Sequence, residues 1–305
     1  MRAALLHLDD ALIRQEALVA KVTGAGGRNL DFRELGPPLR LWTRPETLAE
    51  FEQRLGEALP VRDGPTVVFS GSGDFHHVTP LLLRRAIEAA NSRAVTLLHF
   101  DNHPDWVRFE NGVHCGSWVG WAARMPNVAR VLTVGVCSSD IHRGRARRGD
   151  LELLTEEHLE LYAYRGEDKR ASVDLGGRRW PTIQAMGEPA FAAFLPSRIA
   201  TKDIYVTIDK DVLQPSDAAT NWDQGRISLD YLKSLLSPLV SSFRLIGADV
   251  VGDWSRPVYG GGALAVMQKR GEALLDQPRG SPSEGAQAAN EAVNLALLNL
   301  LMGAA

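Results

Sequence analysis

The chain has 305 residues, of which 45% are hydrophobic and 23% charged, and its formal net charge is -3. This ordinary globular composition suits one large α/β domain or two small ones, and it shows no basic excess that would indicate a nucleic-acid partner. No apolar run is long enough to cross a membrane, and two cysteines are too few for a disulfide framework. We therefore expect a cytoplasmic protein and interpret the basic run 143–148 as a solvated loop.

The first 65 residues carry weak signals, namely an edge strand near 3–8 and a helix at 45–59. From residue 66 onward strand-like and helix-like segments alternate. Strands are predicted at 66–70, 94–100, 128–136, 204–208 and 243–251, and helices at 80–90, 116–124, 228–236 and 284–301. This alternation predicts a single α/β domain over 1–305, with a mainly parallel sheet covered on both faces. We interpret 1–65 as an N-terminal extension and 144–196 as an insertion with surface helices.

The most distinctive segment directly follows the predicted strand 94–100. Asp101, His103 and Asp105 stand there at alternating positions. Side chains at alternating positions of an extended chain point the same way, so the three groups are expected to converge. On its own the pattern is only suggestive, because each residue also has an ordinary structural role. Its meaning depends on what other strand ends supply.

Other predicted strand ends carry complementary groups. The strand 66–70 leads into the loop Gly-Ser-Gly-Asp-Phe-His-His at 71–77, and the strand 204–208 leads into Asp209 and Asp211. Five of the eight histidines lie between positions 76 and 114, where uniform scattering would place about one. In parallel sheets the carboxyl ends of strands form the functional edge. Three such motifs therefore favour a metal site over loop-capping or scattered structural roles.

The types of residue indicate the kind of metal. A set of about four carboxylates and two imidazoles favours Mn²⁺ over Zn²⁺, since no thiolate is placed to help. Four or five carboxylates crowded together would repel one another unless they neutralised more than one cation. This favours two divalent ions that activate a water molecule for attack on a polar carbon.

The order of the motifs GSGDFHH, FDNHPD, HCG and TIDKD resembles the ureohydrolase superfamily, which includes arginase, agmatinase and formiminoglutamase. The resemblance covers about residues 66–255. It implies a three-layer α-β-α sandwich with a central, mainly parallel sheet, two Mn²⁺ ions per chain and a homo-oligomer. By this resemblance the metal ligands are His76, Asp101, His103, Asp105, Asp209 and Asp211, with Asp105 also orienting the attacking water and His114 acting near the leaving group.

The resemblance leaves the loop histidine open between His76 and His77, because this loop has one residue more than the family pattern. We prefer His76, which is closer in sequence to Asp74, and place His77 beside the substrate. The glutamate that pairs with a guanidinium in the family is replaced by Gly252 here. Either Asp253 or Glu110 takes that role, since a planar guanidinium is held best by a carboxylate, or the substrate is not a simple guanidine.

The remaining substrate candidates are Asn111, in the loop between Asp105 and His114, and Trp222, which is either a core residue or part of the pocket rim. The leading hypothesis is a dinuclear manganese hydrolase that acts on a small guanidino compound or on arginine within a peptide. Two alternatives stay open. One is a mononuclear zinc deacetylase of the histone-deacetylase type, suggested by the tandem histidines, and the other is a non-catalytic, metal-stabilised binding protein.

Overall fold

The computed structural model describes residues 1–61, 64–146, 148–166, 170–278 and 285–303. The strands in these ranges are β1 (Arg2–His7), β2 (Arg28–Asp31), β3 (Trp42–Thr43), β4 (Thr66–Phe69), β5 (Val95–Phe100), β6 (Val113–His114), β7 (Val128–Val134), β8 (Leu159–Tyr162), β9 (Ser172–Leu175), β10 (Arg178–Pro181), β11 (Asp203–Asp209) and β12 (Arg244–Val251). The helices are α1 (Glu16–Gly24), α2 (Gly36–Leu39), α3 (Pro45–Ala58), α4 (Thr79–Ala90), α5 (Trp118–Ala123), α6 (Arg143–Ala146), α7 (Glu152–Thr155), α8 (Ile183–Met186), α9 (Glu188–Phe194), α10 (Leu229–Ser242), α11 (Ala263–Asp276) and α12 (Ala286–Met302).

Eight of these strands form one sheet in the order β2-β1-β4-β12-β11-β5-β7-β8. Every neighbouring pair in it is parallel, so the sheet is more uniform than the mainly parallel one predicted. The five strands predicted from residue 66 onward correspond to β4, β5, β7, β11 and β12. Two small antiparallel pairs, β9 with β10 and β3 with β6, lie outside this sheet.

Helices cover both faces of the sheet. In β5, Val95 and Leu97 belong to a core cluster shared with α3, α4 and α5, whereas Leu98 and Phe100 belong to a second cluster shared with α1, α10 and α12. Successive side chains of a strand point to opposite faces, so each strand contributes to both clusters. The result is the predicted three-layer α-β-α sandwich.

The N-terminal residues are part of the central sheet. β1 lies between β2 and β4 and is therefore not the edge strand that was predicted. The edge is β2, whose sequence Arg-Asn-Leu-Asp has only Leu30 partly buried, so no apolar alternation indicates it. Residues 1–61 thus have a weak sequence pattern but supply two strands of the sheet.

The opposite edge is β8, which lies in the region interpreted as an insertion of surface helices. All four of its residues are buried, so the interpretation was wrong for this strand. Glu160 lies in the middle of β8, where Arg130 and Arg198 pair with it at 2.8 and 2.6 Å. A charged residue interrupts the apolar run and hides the strand in the sequence. Residues 147 and 167–169 of this region lie outside the described residues.

Several helices differ from the sequence pattern, and α1 is among those that it did not predict. α10 continues to Ser242, six residues beyond its predicted end, although Pro238 lies inside it. Glu284, the predicted first residue of the C-terminal helix, lies outside the described residues. α11 was not predicted, because Leu264, Met267, Leu274 and Leu275 are exposed among its polar residues and obscure the amphipathic pattern. Among the helices of the described ranges, none combines the length and apolar character that a membrane span needs.

Candidate metal centre

Four adjacent central strands of the sheet, β4, β12, β11 and β5, have their carboxyl ends side by side. The candidate ligands lie on the turn after β4 (His76), on the segment after β5 (Asp101, His103 and Asp105) and at the end of β11 (Asp209 and Asp211). All six are buried except His103, whose side chain is 15% exposed. The structure therefore brings together the whole set of predicted ligands.

The first cluster consists of His76, His99, Asp101 and Asp105. Oδ2 of Asp101 lies 3.1 Å from Nδ1 of His76 and 2.9 Å from Nε2 of His99. Nδ1 of His76 is also 3.2 Å from Oδ2 of Asp105 and 3.7 Å from Oδ2 of Asp209. One ring nitrogen of His76 thus faces three carboxylates.

The second cluster consists of Asp101, His103 and Asp211. Nδ1 of His103 lies 2.9 Å from Oδ2 of Asp211 and 3.6 Å from Oδ1 of Asp101. Asp101 therefore belongs to both clusters, with Oδ2 in the first and Oδ1 in the second. A carboxylate in this position can bridge two cations.

Two glycines make room for the Asp209 carboxylate between these clusters. A Cβ at Gly73 would overlap Oδ2 of Asp209, and a Cβ at Gly252 would overlap Oδ1. Gly252 also has φ of +94°, which residues with side chains rarely adopt. Oδ1 of Asp209 in turn accepts the backbone N–H of Asp211 at 2.9 Å, which fixes the end of β11.

The carboxylates repel one another in the absence of a counter-ion. Burial and the nearby Asp101 raise the pKa of Asp209 to about 7. The same two causes raise the pKa of Asp105, and they raise that of Asp211 well above its usual range. Burial also opposes ionisation of Asp101, but interactions with His103, His76 and His99 outweigh it and lower the pKa of this carboxyl. Cations among these groups would relieve the repulsion.

The ring nitrogens of His76 and His103 are arranged as in metal-binding histidines. Nδ1 of His76 is buried without a hydrogen-bond partner, while its Nε2 lies 2.8 Å from Oγ1 of Thr207. His103 also turns Nδ1 to the carboxylates, and its Nε2 lies 2.9 Å from Oδ1 of Asp223. Histidine ligands usually bond their second nitrogen to such an acceptor. The residues present therefore fit divalent metal ions, and the excess of carboxylates suits Mn²⁺.

The two clusters form part of the wall of a cavity of about 320 Å³. Three aromatic residues, Trp106, Phe109 and Trp222, line the same cavity. The rest of the wall is largely carboxylates, imidazoles and two arginines, a lining that suits a small polar molecule. The metal-binding groups are thus accessible to a small ligand.

A histidine–glutamate pair lies in the cavity wall next to the first cluster. Nδ1 of His114 accepts the N–H of Gly116 at 2.8 Å, so Nε2 carries the proton and donates it to Glu272 of α11. A Cβ at Gly116 would lie 3.2 Å from Nδ1 of His114 and 3.8 Å from Oδ1 of Asp105, which places His114 close to the cluster. Hydrogen bonds at both nitrogens fix one tautomer of this ring.

Two residues predicted to contact substrate lie away from the cavity. His77 is fully buried and neither of its ring nitrogens has a hydrogen-bond partner. Burial lowers its pKa well below the usual range, so it is a neutral core residue. Asp253 is also buried, where it pairs with Lys210 and accepts a hydrogen bond from Gln15 at 2.8 Å. Asp253, which was expected to bind a guanidinium, is therefore already paired with Lys210.

The loop candidates divide between the surface and the cavity. Glu110 is exposed and lines a separate surface depression, and Asn111 is exposed outside the cavity wall. Trp222 is in the wall, where its Nε1 donates to Oδ1 of Asp74 at 2.9 Å and its ring packs 5.7 Å from that of His103. Of the five predicted substrate residues, only Trp222 lies in the cavity wall.

Sequence reasoning missed three residues of the site. His99 continues the alternation of Asp101, His103 and Asp105 toward the N-terminus, so the pattern contained a signal for it. Asp223 lies in an irregular loop and Glu272 in an unpredicted helix. No sequence pattern indicated that Asp223 or Glu272 would lie near the strand ends.

No protein-family model matches the sequence. An uncharacterized protein of Thermotoga maritima is 27% identical over 215 residues, which cover 70% of this chain and 67% of that protein. The arginase of Bacillus subtilis superposes with a TM-score of 0.60 at 13% identity and covers 98% of each chain. A hypothetical agmatinase from Burkholderia thailandensis superposes with a TM-score of 0.57 at 16% identity, covering 100% of this chain and 87% of that one. The chain therefore has an arginase-like α/β fold.

Proposed function

We propose that this chain is a ureohydrolase-type enzyme that holds two divalent ions, preferably Mn²⁺, and hydrolyses a C–N bond of a guanidino or amidine-like compound. The observation that carries the proposal is the sharing of Asp101 between two ligand clusters in the wall of an open cavity. The arginase and agmatinase folds among the structural neighbours agree with this chemistry. Identity this low supports the fold only, so the function rests on the site.

The ligand groups divide into two overlapping sets. The first ion would be held by His76, Asp101 and Asp105 of the first cluster, the second by Asp101, His103 and Asp211, and Asp209 would join both sets. His99 would orient Asp101, since its Nε2 lies 2.9 Å from Oδ2 of that carboxylate. Divalent ions in such a site supply a nucleophilic water at neutral pH and polarise the carbon under attack. Asp209 connects the two sets, because its Oδ2 lies 3.7 Å from Nδ1 of His76 and its Oδ1 accepts the backbone N–H of Asp211.

Asp105 is placed to orient the attacking water. Trp118 donates its indole N–H to Oδ2 of Asp105 at 2.6 Å, which fixes this carboxylate. The other oxygen, Oδ1, lies on the side of Gly116 and His114. It can accept a hydrogen bond from a water molecule beside the clusters and so aim its lone pair at the substrate.

His114 and Glu272 are placed to handle the proton of the leaving group. Nε2–H of His114 donates to Glu272, and both residues line the cavity. The ring can take up at Nδ1 the proton that the attacking water loses, in place of the hydrogen bond from Gly116, and pass this proton to the departing amine. Glu272 stabilises the charged imidazole that exists during the transfer.

The position of His77 bears on the deacetylase alternative. That reading needs both tandem histidines in the site as acid and base, but His77 is buried outside the cavity wall. The observation favours the dinuclear hydrolase. A non-catalytic metal-binding protein is distinguished from it only by turnover.

A substrate screen tests the proposed function. Mn²⁺-loaded protein is incubated with guanidino compounds of different length and end group, and urea release is measured. We expect release from at least one compound, and its loss in Asp101→Asn together with the bound metal. Urea release that is the same in wild type and Asp101→Asn would contradict the proposal, as would its absence from a broad panel.

A further inference from the structure

The interpretation of the basic run 143–148 as a solvated loop was wrong, because Arg143–Ala146 form helix α6 and two arginines of the run line the cavity. Arg145 and Arg148 both belong to the wall that contains the candidate metal centre, and both are exposed there. Within the described ranges, neither guanidinium has an ion-pair partner. Their charges are therefore available to a ligand.

The acidic groups nearest to them in sequence already have partners. Asp150 is paired with Arg108 at 3.2 Å and with Arg124 at 2.7 Å. Glu152 is paired with the same Arg108 at 3.3 Å. Arg108 lines the separate surface depression rather than the cavity. Asp150 and Glu152 thus neutralise Arg108 and Arg124, which line the surface depression and not the cavity.

The segment that carries Arg148 is fixed to the aromatic wall. The N–H of Asp150 donates to the carbonyl of Trp106 at 2.7 Å, and the N–H of Arg108 donates to the carbonyl of Arg148 at 3.1 Å. A bridge between Val107 and Gly149 joins the same two segments. The backbone at Arg148 therefore has a defined place in the wall.

Two carboxylates of the cavity wall, unlike the two arginines, already accept hydrogen bonds from neighbouring side chains. Asp140 accepts the hydroxyl of Ser138 at 3.1 Å, and Glu272 accepts Nε2–H of His114. Arg145 and Arg148 make no such bonds among the described residues. A guanidinium without an ion-pair partner can bind a carboxylate through two parallel hydrogen bonds.

We propose that Arg145 and Arg148 form an anion-binding subsite of the cavity, and that the substrate carries a carboxylate at the end remote from its guanidino or amidine group. This inference rests on the proposed function, because it assumes that the reacting group lies at the metal centre. A cavity of about 320 Å³ accommodates a small guanidino acid. The subsite selects among guanidino compounds by the charge of their far end.

Three guanidines of similar length test the subsite, since they differ only at the far end. These are 4-guanidinobutyrate with a carboxylate, butylguanidine with a methyl group and agmatine with an ammonium group. For the Mn²⁺-loaded protein we expect kcat/KM to be at least about 10-fold higher for the carboxylate than for the methyl compound, and lowest for agmatine. In the double variant Arg145→Gln/Arg148→Gln this preference should disappear, mainly through a higher KM.

Arg108→Gln is the matched control, because it removes an exposed arginine from the adjacent segment outside the cavity. It should retain the wild-type preference. A higher kcat/KM for agmatine would overturn the proposal and assign far-end selection to acidic wall residues such as Asp276. An unchanged preference in Arg145→Gln/Arg148→Gln would overturn it as well.

Binding measurements separate failure of the subsite from failure of the proposed function. Calorimetric titration of the Mn²⁺-loaded protein with 4-guanidinobutyrate and agmatine requires no turnover. Tighter binding of the carboxylate compound that the double variant abolishes would support the subsite even if urea never forms. Equal binding of the two compounds, or binding of neither, would reject the subsite independently of catalysis.

Discussion

The backbone of Gly252 lies so close to Asp209 that a Cβ at position 252 would overlap the carboxylate. This contact makes the position a support for the metal centre instead of a place for a substrate-binding glutamate. It also explains why no carboxylate is found there. Asp253, the next residue, pairs with Lys210 and leaves the cavity without a replacement at this point.

Gly252→Ala should damage both stability and metal binding. The added Cβ meets Oδ1 of Asp209 and the backbone nitrogen of Lys210, and φ of +94° is strained for alanine. We expect a loss of about 2 to 3 kcal/mol in the free energy of unfolding, measured by chemical denaturation, and a reduced metal content. Gly187→Ala is the control, because φ there is +85° but nothing lies within 4 Å of the new Cβ. It should cost about 1 kcal/mol and retain the metal.

The two tandem histidines should respond in opposite ways to substitution. His76→Ala removes a group that faces three carboxylates, so we expect loss of metal, measured by elemental analysis of dialysed protein. His77→Leu replaces a buried imidazole whose nitrogens have no partners, so stability should be unchanged or higher and the metal retained. Loss of metal in His77→Leu with retention in His76→Ala would show that the ligand was assigned to the wrong histidine.

Glu272 and His114 should act as one unit. Because the carboxylate accepts Nε2–H, Glu272→Gln is expected to lower kcat about 10-fold or more, and His114→Ala about 100-fold or more. The double variant should be little worse than His114→Ala alone, since Glu272 acts through the imidazole. Fully additive effects on kcat would mean that the two residues work independently. Glu272→Asp provides a control that preserves the charge.

Lys269 should make stability depend on pH in the alkaline range. It lies on α11, is 1% exposed, donates to the carbonyl of Pro38 at 2.8 Å and packs over the ring of Trp42. Burial lowers its pKa to about 8, whereas the unfolded chain has the ordinary value of 10.5. The unfolded state therefore binds more protons between these values, so stability rises with pH through this window.

The control is Lys269→Met, which lacks the titrating group but preserves much of the packing. Between pH 7 and 10 the free energy of unfolding of the wild type should rise relative to this variant by about 2 kcal/mol. Parallel pH profiles of the two proteins would show that Lys269 does not titrate abnormally.

Much of the fold was predictable because strands and helices alternate regularly after residue 66. The central strands β5, β11 and β12 are apolar and end in polar groups, which a periodicity pattern reveals. The edge strands were missed for physical reasons. β2 is mostly exposed, and β8 contains Glu160, whose charge is compensated only by arginines distant in sequence.

The ligands of the candidate metal centre were predictable where they stand at the ends of predicted strands. His76, Asp101 and Asp209 follow or end strands, so their convergence follows from the geometry of a parallel sheet. Glu272 and Arg145 reach the cavity from α11 and α6, two helices that no sequence pattern relates to the sheet. Such long-range placement depends on tertiary packing, and sequence periodicity contains no information about it.

The most direct test of the account is the metal content of the protein, measured with urea release on the same preparation. We predict two Mn²⁺ ions per chain after loading and dialysis, and urea release that rises with metal content and is lost in Asp101→Asn. A single tightly bound Zn²⁺ ion, or full activity without metal, would contradict the dinuclear centre.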